Sequence, residues 1–142
     1  WMAPLFNDND AGGRRDILEG RLIWVAHEVL RRASVILDFG CWSPDERYAI
    51  RVITESVGAR FELRYVSVGE AERRARARQR WAADPETTFP MSDSDHDAFA
   101  ASFVPPSSNE LAYGPIPPPP LGCDTWFHWA AQRWPTLPRF DA

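Results

Sequence analysis

Residues 34–47 constrain the fold of this chain more than any other stretch. Val35, Ile36 and Leu37 form an apolar run without alternation. Such a run predicts a strand covered on both faces, as in a parallel sheet. Asp38 follows at the carboxyl end of that strand, and Gly40 lies two residues on. A helix start comes next. Ser43 suits the N-cap, Pro44 the first helical position, and Glu46 stands three residues after Ser43 to close a capping box. Strand, carboxylate, loop and capped helix is the local pattern of an open α/β sheet, and such sheets take ligands at the carboxyl ends of their strands. Asp38 is therefore the first candidate for chemistry.

The segments on either side extend the pattern. Leu18, Leu22, Val25, Ala26, Val29 and Leu30 recur at spacings of three and four, which predicts an amphipathic helix starting near Arg14 or Arg15. Gly20 weakens that helix by about 1 kcal/mol relative to alanine, a cost that marks close packing. The capped helix should run from Pro44 to about Val57, with Gly58 beyond its end. In residues 60–68, Phe61, Leu63 and Tyr65 alternate with Glu62 and Arg64. This predicts a second strand and, with the first, a right-handed βαβ unit. Residues 70–80 read as a helix with almost no apolar face. They carry Arg73, Arg74, Arg76, Arg78 and Arg80. A helix polar all round is either solvated or covers an anionic ligand. Ser92 caps a short helix toward Phe103. Asp93, Asp95 and Asp97 lack the glycine and terminal glutamate of a calcium loop, so they read as an acidic helix start. Residues 107–112 suggest a last helical turn. The proline run at 117–120 reads as a stiff linker, leading to a cluster of Trp126, Phe127, Trp129 and Trp134.

Composition excludes several classes. All 16 basic residues are arginine, which removes every mechanism that needs a lysine, including the phosphate-binding lysine of a Walker A loop. A net charge of −4 gives no support for nucleic-acid or membrane binding. Cys41 and Cys123 make no metal spacing, and His27, His96 and His128 form no ligand cluster. Reduced cysteines and a cytoplasmic location are expected.

Three stretches together resemble one family: residues 35–47, the strand and arginine helix of residues 60–80, and residues 88–106, from Thr88-Phe89-Pro90-Met91 to Phe103-Val104-Pro105-Pro106. They are similar to AAA-family ATP-binding proteins of bacteria that are small P-loop kinases, a group similar to zeta toxins and chloramphenicol phosphotransferases. The resemblance implies transfer of the ATP γ-phosphate to a hydroxyl of a small-molecule acceptor, with ATP and magnesium as cofactors of the full-length protein. It places Asp38 at the end of the strand bearing the Walker-B-like acid, as a catalytic and magnesium-linked residue. It puts Arg76 and Arg80 where lid arginines close over the transferring phosphoryl group, and Trp42 and Arg47 on the substrate side. Trp42 otherwise plugs the sheet end, and Arg47 otherwise pairs with Asp45 or a backbone carbonyl. No G-x-x-x-x-G-K-[ST] occurs in this chain. The implied fold is thus an incomplete three-layer α/β P-loop fold, kinase-like, with a parallel sheet whose central Walker A strand is missing through N-terminal truncation. On this reading residues 1–112 are the C-terminal part of the kinase-like domain, and 113–142 are a proline-rich linker with an aromatic tail.

Overall fold

The computed structural model describes residues 13–38 and 40–140. Among them are six helices: α1 (Arg14–Leu30), α2 (Pro44–Glu55), α3 (Glu70–Ala83), α4 (Asp93–Ser102), α5 (Ser108–Leu111) and α6 (Trp126–Arg133). The described residues contain no strand. The α/β assignment, with its parallel sheet and βαβ unit, is therefore corrected. A strand is held by a ladder of N–H and C=O groups on a neighbouring strand. Residues 34–38 and 60–68 carry strand-like side chains but no ladder. Nor is the apolar run sandwiched between layers, since Ile36 is 92% exposed.

The chain divides into two compact units. One holds Tyr65–Phe103, and with it α3 and α4. The other holds Asp16–Arg64 together with the chain from Val104 onward.

The second unit is built on α2. Ser43 caps it through the predicted box: the Glu46 N–H donates to Ser43 Oγ at 3.2 Å, and the Ser43 N–H donates to Glu46 Oε2 at 3.2 Å. Ala49, Ile50 and Ile53 on its inner face pack with Ile23 of α1 and with Trp126, Ala130, Trp134 and Leu137. Half of that core comes from the aromatic segment at the C-terminal side. Trp126 also anchors the proline run, its Nε1–H donating to the Pro117 carbonyl at 2.9 Å. The Trp129 ring stands edge-on to Trp134, with centroids 5.9 Å apart, a favoured aromatic geometry.

α1 spans the predicted residues but buries a face that shares only Ala26 with the predicted stripe. Glu19, Gly20, Ile23, Ala26 and His27 point inward, whereas Val25 and Val29 are exposed. The inward face is chosen by its partner: Glu19 accepts the Trp134 Nε1–H at 3.3 Å, and Thr136 Oγ1 donates to the Ile17 carbonyl at 2.6 Å. A Cβ on Gly20 would lie 2.6 Å from Thr136 Oγ1 and 3.1 Å from Trp134 Cβ. The glycine admits the tryptophan segment against the helix.

In the first unit, α3 buries only Ala77. α4 starts at a second capping box, Ser92 with Asp95. Arg74 ties the two helices, with its NH1 2.7 Å from Asp93 Oδ1 and its NH2 2.5 Å from Asp97 Oδ1. Asp93, Asp95 and Asp97 thus serve a helix start and an inter-helix ion pair.

Candidate functional site

The turn from Cys41 to Arg47 is fixed by two buried carboxylates, each at a capping box. Glu46 Oε2 accepts the Trp42 N–H at 2.6 Å as well as that of Ser43, and its Oε1 takes the Arg133 guanidinium at 2.8 Å. Arg133 also reaches Asp16 at 2.6 Å. Glu110 closes the box of α5 by accepting the Ser107 N–H at 2.9 Å. The same carboxylate pairs with Arg47, Nε to Oε1 at 2.7 Å and NH2 to Oε2 at 3.3 Å. Arg47 NH1 donates further to the Cys41 and Val104 carbonyls, both at 3.0 Å. Four donor contacts occupy a guanidinium whose side chain is 3% exposed. Of the two partners left open by the sequence, backbone carbonyls are met and Asp45 is not among these contacts. Arg47 therefore ties the turn before α2 to the turn before α5.

The electrostatics follow this geometry. Burial pushes the Glu110 carboxyl up, but the Arg47 and Ser107 hydrogen bonds and the Arg47 charge outweigh it and hold the group below the usual carboxylate range. At Cys41, burial with the Glu46 and Glu19 charges pushes the thiol up to about 12. A thiol so held is protonated at neutral pH and is a poor nucleophile.

Asp38 lies exposed just ahead of this turn. Trp42 is half-buried, and its indole lies over Gly40, where a Cβ would come 2.4 Å from Nε1. Asp38, Trp42 and Arg47 all belong to the second unit, whereas Arg76 and Arg80 belong to the first.

Successive helical residues turn by about 100°, so Arg73, Arg76 and Arg80 share one side of α3. All three are exposed. Among the described residues Arg73 and Arg80 make no ion pair, and Arg76 pairs only with Glu72, one turn back, at 2.6 Å. Both partners of that pair are more than half exposed, and such pairs contribute little, so an anion can compete for the guanidinium. Arg74 on another side of the helix is committed to Glu70, Asp93 and Asp97.

A family model described as an AAA domain matches residues 6–106, well over half of the chain. The chain belongs to the AAA domain family. AAA domains of this kind are P-loop nucleotide-binding domains, and the match runs from ahead of α1 to the end of α4 and the residues just after it. No curated protein and no solved structure matches the chain. The donors that this AAA domain presents do not by themselves fit magnesium-ATP. The chain has no lysine and no G-x-x-x-x-G-K-[ST] string. Among the described residues no three of His, Cys, Asp and Glu group to hold a metal. No helix among those residues is long and apolar enough to cross a membrane.

Sequence reasoning missed Glu110 and Arg133. Ser107 and Glu110 repeat the Ser43 and Glu46 spacing, so the second box was visible in principle. No local signal marks which arginine answers which box.

Proposed function

We propose that this chain is part of a cytoplasmic, kinase-like AAA protein that transfers the ATP γ-phosphate to a hydroxyl of a small molecule. Arg76 and Arg80 are its anion-facing arginines, Asp38 its acid, and Trp42 its contact with the acceptor. Arg47 is a positioning residue, since its donors are committed to Glu110 and two carbonyls. ATP and magnesium serve the whole protein as its cofactors. The observation that carries the reading is the unspent arginine side of α3. An exposed planar fork recognises phosphate by two parallel hydrogen bonds.

The protein in its native length, assayed for ATP-dependent phosphoryl transfer, tests this reading. Arg80→Ala should lower kcat about 10-fold or more with little change in KM for ATP, because a lid arginine acts mainly on the transition state. Equal rates for variant and parent would remove Arg80 from the site. A second reading, a non-catalytic interaction module, draws on the absence of any lysine. It predicts no turnover at native length.

A further inference from the structure

The main chain of Trp42 is held from two directions. Its N–H donates to Glu46 Oε2 at 2.6 Å, and its carbonyl accepts the Val104 N–H at 2.9 Å. Helix capping does not account for the bond to Glu46. A capping box uses the N–H of the N-cap residue, and Ser43 supplies that one at 3.2 Å. The Trp42 N–H is an additional donor, one residue earlier, to the same oxygen. The Trp42 indole lies back over Gly40, where the Cβ of any larger residue would meet it.

The group that keeps Oε2 aimed at both N–H groups comes from far along the chain. A carboxylate turns easily about its last torsion, whose wells are broad. Glu46 is anchored at its other oxygen, where Arg133 donates to Oε1 from Nε at 2.9 Å and sets NH2 at 2.8 Å. NH1 of the same guanidinium reaches Asp16 of α1 at 2.6 Å. The planar fork at the end of α6 is thus braced between α1 and α2. Glu46 is almost fully buried, so its carboxylate depends on protein partners for compensation. Arg133 lies beyond residues 6–106, the span that matches the AAA domain.

We propose that Arg133 is a positioning residue for the acceptor side of the site. It holds Glu46, Glu46 holds the Trp42 main chain, and the Trp42 ring is thereby set for the acceptor. A segment outside the matched domain completes a site whose other residues lie within it. Support of this kind matters because a displacement of about 1 Å in a binding group can cost a large factor. The proposal rests on the kinase-like reading, in which Trp42 contacts the acceptor.

Two measurements test it. The first uses NMR on the isotope-labelled 142-residue chain, with the Trp42 amide assigned through Trp42→Phe. In Arg133→Met that amide should exchange with solvent about 10-fold faster, while the amides of Ala49 and Ile53 in α2 keep their protection, so that the release is local. The second uses the protein in its native length and whichever member of a hydroxyl panel (sugars, nucleosides, amino alcohols) the parent phosphorylates. Arg133→Met should raise KM for that compound about 10-fold, with kcat and KM for ATP within about 2-fold of the parent. Arg133→Lys keeps the charge without the fork and should raise the same KM only about 3-fold. Asp16→Asn removes the other partner of Arg133 and should leave both readouts near the parent. An unmoved Trp42 amide in Arg133→Met, a released amide with unchanged acceptor KM, or an Asp16→Asn effect as large as that of Arg133→Met would each overturn the proposal and leave the kinase-like reading standing. A parent that phosphorylates nothing in the panel would fail that reading, and the acceptor role of Arg133 with it.

Discussion

Arg47 and Glu110 stand 63 positions apart in the chain and meet with both side chains almost fully buried. A buried pair is a modest source of net stability, but removing one partner strands the other charge and costs about 3–5 kcal/mol. Glu110→Ala should therefore destabilise the chain by about 3 kcal/mol in denaturant titration, and pairing it with Arg47→Met should recover part of the loss. The same pair sets an acid dependence. The carboxyl of Glu110 is held below its ordinary 4.5 in the folded chain. A group depressed on folding contributes stability that is present above the unfolded pKa and is lost as pH falls through the folded one. Burial also pushes the Glu55 carboxyl up, but its Arg51 and Tyr113 hydrogen bonds hold it low, with the same sign. Unfolding free energy should thus fall as the solution is acidified below about pH 4.5, and Glu110→Gln should flatten part of that fall. An undiminished acid slope in the variant would place the titration elsewhere. At this scale the sequence was legible where a residue serves its own neighbourhood. Ser43, Pro44 and Glu46 cap α2 as their spacing predicts. Arg47 was ambiguous because its partners arrive from distant segments, and no local pattern encodes them.

The helices themselves were readable from periodicity and caps, but their buried faces were less so. In α1 the stripe of Leu18, Leu22, Val25, Ala26, Val29 and Leu30 keeps Ala26 inside but otherwise gives way to Glu19, Gly20, Ile23 and His27. Ranking positions by hydrophobicity misses a face selected for small size and for a carboxylate that accepts an indole N–H. Gly20 was legible as close packing, and the structure supplies the partners, Thr136 and Trp134. Alanine there gains about 1 kcal/mol of helix propensity but must displace Thr136 Oγ1 from its bond to the Ile17 carbonyl. Overpacking of this kind typically costs about 1–3 kcal/mol. Gly20→Ala should lower the melting temperature by about 2–6 °C for a domain of this size. A rise in melting temperature would mean that the segment around Thr136 yields without loss.

Across the whole molecule, the sequence misled about the sheet and was informative about family. Residues 34–38 and 60–68 have the composition of strands, yet a ladder depends on a neighbour that composition cannot supply. The aromatic segment read as a tail, yet it furnishes Trp126, Ala130, Trp134 and Leu137 to the core of the second unit. The matched span and the quoted resemblance overlap over most of residues 6–106. Together these observations describe an AAA chain with an exposed side of arginines on α3, no lysine and no G-x-x-x-x-G-K-[ST] loop. Backbone N–H groups of that loop supply most of the hold on the β- and γ-phosphates, and scattered arginines do not replace them. Calorimetric titration of magnesium-ATP into the purified 142-residue chain tests this division most directly. The account predicts no saturable heat in the micromolar range, whereas a stoichiometric isotherm with a micromolar Kd would contradict it.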